Sequence, residues 1–235
     1  MKFSDGYWLG KDNYIINSPI EAYDTSVRTV EESGQKSKTL VVNSSYQKLK
    51  TRSDMLDVGN STISLFSPAP DIIGVELKHF DQDDRNPLYD LVQSTVNAEI
   101  NTSDQFANYK SGDLEVNIPL HDKFRMDFKY KGNRITGSEL KAQASIDDLS
   151  GQELGQVMHP NTVVGAQALL RDGSVRWADH FMREQLSLLP GTKVYGFGET
   201  FGPFEKNGQS IDIINRDGGT GSNQSYKSIP FYPVS

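Results

Sequence analysis

The sequence predicts an all-β protein built as an antiparallel β-sandwich, and three observations support this fold class. Short runs of β-branched and aromatic residues are broken throughout by Gly, Asn, Asp and Pro, which is typical of antiparallel strands separated by turns. Helix signals are scarce. Phe124, Met126, Phe128 and Tyr130 stand at every second position, so four large side chains share one strand face that a second sheet or a partner must cover.

The clearest strand candidates lie between residues 62 and 136. They are Thr62–Phe66 before Pro68, Ile72–Leu77 after a Pro-Ala-Pro turn, and the alternating segment Leu114–Ile118 before Pro119. After Tyr130, the Lys-Gly-Asn sequence at 131–133 favours a tight turn into Arg134, Ile135 and Thr136. We expect these two flanking segments to form a hairpin.

Two later segments are harder to assign. Ser150–Met158 opens on a potential N-cap serine and carries Glu153 at the third helical position, which favours a short helix with a capping box. The apolar spacing in Trp177–Leu189 fits a helix about as well as a strand. Because no repeat, low-complexity tract or long charge run marks a linker, we expect one domain over residues 1–235.

Composition excludes several classes of partner and site. The chain has 235 residues, 36% of them hydrophobic, which is enough to build a core. Lys and Arg total 24 against 31 Asp and Glu, and the net charge of -7 argues against nucleic acid as a partner. No stretch approaches the apolar length of a membrane span or a signal peptide, so we expect a soluble cytoplasmic protein with no membrane partner.

The sequence shows no motif of catalytic residues or cofactor ligands. Cysteine is absent, and no two of the four histidines have metal-ligand spacing, so we expect no metal or other cofactor and interpret the histidines as surface or hydrogen-bonded groups. No Gly-x-Ser-x-Gly elbow occurs. The Gly-rich run Gly218–Gly221 lacks the residues of a phosphate loop and is interpreted as a flexible turn. Adjacent acidic pairs occur at 31–32, 83–84 and 147–148, and we interpret them as solvated turns because neighbouring carboxylates point to opposite faces of a strand.

An ordered set of motifs resembles one glycosidase family. Near the C-terminus the set comprises Tyr195–Glu199 (YGFGE), Asn215-Arg216-Asp217, Tyr226-Lys227 and Pro230-Phe231-Tyr232. Earlier members are MKFSDGYWL at the start, Phe66-Ser67-Pro68, Gly74-Val75, His79-Phe80, Tyr109–Gly112 and Arg134–Ser138. The set is similar to the N-terminal part of glycoside hydrolase family 31, within it most of all to the bacterial α-xylosidases. The stretch from about Gln143 to Arg176 is longer than this resemblance predicts.

The resemblance implies a galactose-mutarotase-like β-sandwich that in the family packs beside a catalytic (β/α)₈ barrel. The two catalytic aspartates of the family belong to that barrel, and no segment here resembles their motifs. It also implies an incomplete sandwich, because in the family further strands follow the Pro-Phe-Tyr strand. We therefore expect residues 1–235 to be an N-terminal domain truncated before the barrel, with no turnover alone.

For the site, the resemblance implies that Arg216 and Asp217 lie on a loop that borders the substrate pocket of the complete enzyme. An aspartate there can accept hydrogen bonds from sugar hydroxyls, and an arginine can orient it. The alternative is that both residues simply pin the Gly218-Gly219 turn. The implied partners are an α-xyloside-type or other oligosaccharide and the missing barrel polypeptide.

A second functional hypothesis is a stand-alone carbohydrate-binding or assembly module, with Trp8, Tyr195 and Tyr232 as stacking platforms for sugar rings. These aromatic residues are also good candidates for the core. Under either hypothesis an unfinished sandwich exposes a strand edge or an apolar face, so we expect a homo-oligomer.

Overall fold

The computed structural model describes residues 4–5, 9–11, 14–32, 35–56, 58–79, 96, 98–149, 154–158, 167–170, 175–177, 179–215 and 227–235. The chain groups into two compact units, Met1–Ser187 and Leu188–Ser235. Each unit is described by itself. The single domain over 1–235 stays a prediction.

The unit Met1–Ser187 is built from strands. They are β1 (Ser4–Asp5), β2 (Leu9–Gly10), β3 (Tyr14–Asn17), β4 (Glu21–Glu32), β5 (Gln35–Ser45), β6 (Asn60–Phe66), β7 (Gly74–His79), β8 (Glu99–Thr102), β9 (Phe106–Ser111), β10 (Leu114–Pro119), β11 (Met126–Tyr130), β12 (Asn133–Ser138), β13 (Ala144–Asp148), β14 (Leu154–Met158), β15 (Gln167–Leu170), β16 (Val175–Trp177) and β17 (Asp179–Arg183). A short 3₁₀ helix spans Arg52–Met55. No helix within the described ranges has the length and apolar character needed to cross a membrane.

All strand pairings in the described residues are antiparallel. The two larger sheets have the orders β4-β5-β6-β7 and β12-β11-β10-β9-β8, and smaller sheets are formed by β17-β13-β3, β14-β15-β16 and β1-β2. The predicted strands at Thr62–Phe66 and Leu114–Ile118 are confirmed as β6 and β10. The one predicted at Ile72–Leu77 is β7, which begins two residues later.

The predicted hairpin is confirmed as β11 and β12. Tyr130 pairs with Asn133, which leaves Lys131 and Gly132 as the two turn residues. Both have positive φ, at 50° and 79°. This is the backbone of a type I′ turn, whose twist matches that of the flanking strands, and glycine at its second position relieves the strain.

The core of this unit lies between the two larger sheets, which confirms the predicted antiparallel β-sandwich. Leu40, Val42, Ile63 and Leu65 come from one sheet, and Ala107, Tyr109, Val116, Ile118 and Met126 come from the other. The four alternating side chains predicted to share a face become progressively more exposed along it: Phe124 and Met126 are buried, Phe128 is half-buried and Tyr130 is exposed. The Tyr109 hydroxyl donates to the carbonyl of Lys38 on β5 at 3.1 Å, and burial raises the pKa of Tyr109 to about 12.

The helix predicted at Ser150–Met158 is wrong where the structure describes it. Leu154–Met158 is strand β14, paired with β15 from Leu154↔Leu170 to Met158↔Gln167. The segment 150–153, with the capping signal, lies outside the described residues. A capping signal is a weak local preference, and pairing with a neighbouring strand satisfies the backbone of the whole segment and overrides it.

The ambiguous segment Trp177–Leu189 begins as strand. Trp177 ends β16, and Asp179–Arg183 is β17, which pairs with β13 along its whole length. Residues 184–189 form no regular element. The apolar spacing that also fits a helix therefore arises from a strand followed by an irregular segment.

The interpretation of the acidic pairs as solvated turns is wrong for the two pairs that the structure describes. Glu31 and Glu32 belong to β4. Asp147 lies on β13, where its side chain is only 5% exposed and its Oδ1 is 2.5 Å from Nδ1 of His180, the residue paired with it on β17. A direct cross-strand partner lets a carboxylate be buried without losing its hydrogen bond. The pair 83–84 lies outside the described residues.

Candidate functional site

The loop predicted to carry the site lies outside the described residues. These are Arg216, Asp217 and the glycines at 218–221, together with Tyr226. The structure does describe the residue before the loop, Asn215, and the residue at which it returns, Lys227. The candidate site is therefore built upward from its base, in the unit Leu188–Ser235.

Two of the motif segments are brought together at this base. The segment Tyr195–Glu199 runs antiparallel to 227–233, with an isolated bridge between Gly198 and Ser228. Backbone hydrogen bonds join Tyr195 N to Pro233 O (3.1 Å), Phe197 N to Phe231 O (2.8 Å), Glu199 N to Lys227 O (2.9 Å) and Ile229 N to Phe197 O (3.3 Å). The YGFGE motif is thus the surface on which the returning end of the loop is fixed.

The two glycines of YGFGE are required by this close approach. Gly196 and Gly198 have φ of +99° and +80°, a region that side chains rarely adopt. A Cβ on Gly198 would lie 2.0 Å from the carbonyl oxygen of Lys227, and one on Gly196 would lie 2.6 Å from that of Phe231. Backbone atoms cannot move aside as side-chain ends can, so both positions need glycine.

Side chains of the motif residues close the two ends of the loop. The Asn215 amide oxygen accepts a hydrogen bond from Ser228 N at 2.7 Å, and the Ser228 hydroxyl donates to Ile214 O at 3.3 Å. The Lys227 ammonium lies 3.2 Å from Oε1 of Glu199. Because Asn215 precedes the loop and Ser228 follows it, this contact fixes the separation of the loop's ends.

The proposed stacking platforms are engaged with other rings. Tyr195 lies against Phe204, with ring centroids 5.2 Å apart and tilted planes. Tyr232 stacks on Phe197 at 5.3 Å. Trp8 lies outside the described residues. Other rings are more exposed, among them Phe201 at 59% and Phe231 at 68%, and neither was proposed as a stacking platform from the sequence.

A small polar pocket adjoins the loop base and also escaped sequence reasoning. Its volume is about 40 Å³, and its walls come from Thr200, Phe201, Lys206, Gln209, Ser210, Ile211, Asp212 and Ser228. Lys206 is 7% exposed and donates to the hydroxyl of Thr200 at 2.8 Å. The one available sequence signal was position, since Lys206 falls between two of the recognised motifs. Among the described residues, no group of three His, Asp or Glu could hold a metal ion.

Two ion pairs of this unit, Lys193 with Glu205 and Lys227 with Glu199, are exposed. Lys193 donates to Glu205 at 3.0 Å, and this hydrogen bond, followed by the charge of Glu205, raises the pKa of Lys193. The Asn207 side chain accepts a hydrogen bond from Val194 N at 2.8 Å through its oxygen and donates one to Thr192 O at 3.0 Å through its nitrogen. These contacts hold the segment from Glu205 to Asn207, with Lys206 in its middle, against the start of the unit.

The unit Met1–Ser187 contains a larger cavity of about 490 Å³. Its walls include Ile16, Tyr46, Glu139, Lys141 and Arg183. Two of its three charged side chains are already engaged, because Glu139 pairs with Arg134 and Arg183 donates to Lys141 O at 2.8 Å. Burial raises the pKa of Tyr46, whose hydroxyl lies 2.7 Å from that of Ser61. Nothing in this lining singles out a ligand.

Comparison with known proteins identifies the family of this chain. A family model described as the glycosyl hydrolase 31 N-terminal galactose mutarotase-like domain matches residues 62–234. The chain belongs to this family. The predicted family and the mutarotase-like sandwich are thereby confirmed.

Two curated relatives are alpha-xylosidases. The chain is 39% identical over 232 residues to alpha-xylosidase XylQ of Lactiplantibacillus pentosus, an alignment that covers 99% of this chain and 26% of the relative. It is 33% identical over 237 residues to an alpha-xylosidase of Emericella nidulans, which covers 99% of this chain and 28% of the relative. The chain thus spans about a quarter of the length of these relatives.

Proposed function

We propose that this chain is the non-catalytic N-terminal β-sandwich region of an α-xylosidase-type glycosidase, and that it lends one loop to the substrate pocket of the complete enzyme. The observation that carries the proposal is the coverage: nearly all of this chain aligns with only 26% and 28% of two alpha-xylosidases. The catalytic carboxylates then belong to the remaining length. The substrate class is an α-xyloside or a related oligosaccharide, and the proposed location is the cytoplasm.

The loop base supports a role for Arg216 and Asp217 in this pocket. Asn215 and Ser228 hold the two ends of the loop together, and Glu199 and Lys227 add an ion pair beside the return. A loop whose ends are fixed loses less conformational entropy when it meets a ligand. Asp217 would accept hydrogen bonds from sugar hydroxyls, and Arg216 would orient its carboxylate.

The first test is complementation. Alone, the chain is expected to release no p-nitrophenol from p-nitrophenyl α-xyloside above the blank, because the general acid and the nucleophile of a retaining glycosidase are a pair of carboxylates that this chain does not supply. Adding a polypeptide that corresponds to the remainder of the Lactiplantibacillus relative is expected to restore hydrolysis. The measurement is absorbance with time, at fixed concentrations of both polypeptides.

Variants of the loop provide the control in that assay. Arg216→Ala and Asp217→Asn should each lower the restored rate by about tenfold, the loss of one charged hydrogen bond. Lys48→Met, which removes an exposed charge of the unit Met1–Ser187, should leave the rate unchanged. Robust turnover by the lone chain would contradict the proposal, and unchanged rates in both loop variants would contradict the role of the loop.

The proposed partner of this chain is the barrel polypeptide of the complete enzyme. The unit Leu188–Ser235 exposes many apolar side chains, among them Phe201, Phe204, Ile213, Ile229, Phe231 and Val234. Clustered exposed apolar residues commonly mark an interaction surface. We propose that the downstream polypeptide covers this surface, and that a second copy of the chain covers it when that polypeptide is absent.

Self-association of the lone chain is therefore expected. Light scattering at micromolar concentration should give the mass of a dimer or a larger assembly. The double variant Phe204→Ser/Phe231→Ser should shift the mass toward that of a monomer, because both rings are exposed and their loss removes apolar contact area. A monomeric mass for the unaltered chain would contradict this prediction.

A second candidate is a stand-alone carbohydrate-binding module, and the exposed rings of Phe201 and Phe231 are the observation that favours it. The two candidate functions predict different affinities of the lone chain for sugar. A stand-alone module would bind xylose or isoprimeverose with a dissociation constant well below about 1 mM, because its whole site lies on this chain. A domain that supplies one edge of a shared pocket would bind far more weakly.

A further inference from the structure

Lys206 stands apart from the other lysines of the unit Leu188–Ser235. Two of them have carboxylate partners: Lys193 with Glu205 at 3.0 Å, and Lys227 with Glu199 at 3.2 Å. Lys206 is the buried one, at 7% exposed, and its ammonium donates to a neutral hydroxyl, that of Thr200. An ammonium group has three donors. Within the part of the chain that the structure describes, one of these donors is used.

A buried ammonium with one neutral partner is costly to maintain. The pocket beside Lys206 also contains a group of opposite charge. Asp212 lines the same pocket, yet no ion pair joins it to Lys206 among the described residues. The pocket therefore offers a strong donor at Lys206 and a strong acceptor at Asp212, with the polar groups of Gln209, Ser210 and Ser228 around them.

The size of the pocket limits what can fill it. At about 40 Å³ it has room for one small polar group or a few water molecules, since each water needs roughly 10–15 Å³ of such volume. A sugar ring does not fit, but a hydroxyl or hydroxymethyl group projecting from a ring does. A hydroxyl group also matches the chemistry, because it accepts from an ammonium and donates to a carboxylate at the same time.

Two neighbours of the pocket suit a saccharide. Phe201 forms part of its wall and is 59% exposed, so its ring offers an apolar surface to the sugar ring from which the hydroxyl projects. Ser228 belongs both to the pocket wall and to the loop base, where its backbone N–H binds Asn215. The pocket therefore adjoins the return of the loop that carries Arg216 and Asp217.

We propose that the Lys206 pocket is a subsite for one hydroxyl-bearing group of a saccharide, with Lys206 donating a hydrogen bond to the sugar oxygen and Asp212 accepting a hydrogen bond from the same hydroxyl. This inference rests on the proposed function for the class of ligand. It assigns to Lys206 and Asp212 a binding role separate from that of Arg216 and Asp217.

The test measures the NMR signal of Lys206 in the unaltered chain. With lysine labelled at Cε, two-dimensional NMR should show a saturable shift of the Lys206 signal as xylose is added, with a dissociation constant on the order of 10 mM, as expected for so small a ligand. The signal of Lys48, an exposed lysine of the unit Met1–Ser187, serves as the internal control and should not move. Parallel titrations with sodium chloride at constant ionic strength, and with sodium formate, test whether a small anion fills the pocket instead.

Variants separate this inference from the proposed function. Lys206→Met keeps the apolar stem and should weaken xylose binding at least about tenfold, as should Asp212→Asn, whereas Lys48→Met, at an exposed lysine of the unit Met1–Ser187, should not. Loss of binding in Arg216→Ala and Asp217→Asn, with Lys206→Met unaffected, would overturn the subsite while leaving the loop's role intact. The subsite is overturned if the NMR signal of Lys206 does not shift with xylose, or shifts with chloride or formate instead. Either outcome leaves the complementation result unchanged. The signal of the unaltered chain decides the matter even if a variant fails to fold.

Discussion

Gly198→Ala is expected to destabilise the unit Leu188–Ser235 by about 3 kcal/mol or more and to free the end of the predicted site loop. Two costs add. An L-residue at φ of +80° costs about 1–2 kcal/mol, and the new Cβ would lie 2.0 Å from Lys227 O and 2.9 Å from Ile229 N. Both atoms are backbone, so relief requires the strand-like pairing of YGFGE with the returning segment to open.

Gly191→Ala is the matched control for this prediction. Gly191 has a similar φ of +86°, but a Cβ there would meet nothing within 4 Å. It should therefore show the conformational cost alone, about 1–2 kcal/mol. Hydrogen exchange of the Phe197, Glu199 and Ile229 amides measures the effect, because these groups form the hydrogen bonds that would break. Equal losses of protection in the two variants would contradict the steric argument.

The second large effect is expected in the sandwich. Phe124→Ala should lower the free energy of unfolding of the unit Met1–Ser187 by about 3–5 kcal/mol. The Phe124 ring is 1% exposed and belongs to the cluster between the two larger sheets. Its loss leaves a cavity that strands held by ladder hydrogen bonds cannot easily close.

Urea denaturation followed by tryptophan fluorescence suits this measurement, since both tryptophans, Trp8 and Trp177, belong to the same unit as Phe124. Phe106→Ala is the control: Phe106 lies on β9 and is 44% exposed, so its truncation should cost less than about 1.5 kcal/mol. A loss for Phe124→Ala no larger than that for the control would mean that the cluster between the sheets does not carry the stability of this unit.

Hairpin β11–β12 shows which parts of the fold could be predicted from the sequence. Its alternating apolar residues and its Lys-Gly turn lie within thirteen consecutive positions, from Met126 to Ser138. All the information it needs is local: the period of two sets the face, and the glycine allows the positive φ. The same holds for β6 and β10, where β-branched or alternating runs end beside proline.

The candidate site was predicted only in part. The motif order identified the family and two of the paired segments, but their contact, Tyr195–Glu199 against the segment 227–233, joins residues about thirty positions apart. The Lys206 pocket gave no pattern at all. A lysine between a glutamate and an asparagine looks like a solvated turn, and the pocket beside it is lined by Thr200, Asp212 and Ser228, which belong to separate segments of the sequence.

The sequence by itself determined the fold class, the β11–β12 hairpin and the family, because these follow from local periodicity, turn chemistry and the order of short motifs. Tertiary structure alone decided that Leu154–Met158 is a strand, that Asp147 is buried against His180, and that Lys206 faces a polar pocket. The physical reason is the same in each case. The environment of a charged group or a weakly biased segment is set by distant residues that pair with it, and no local pattern records them.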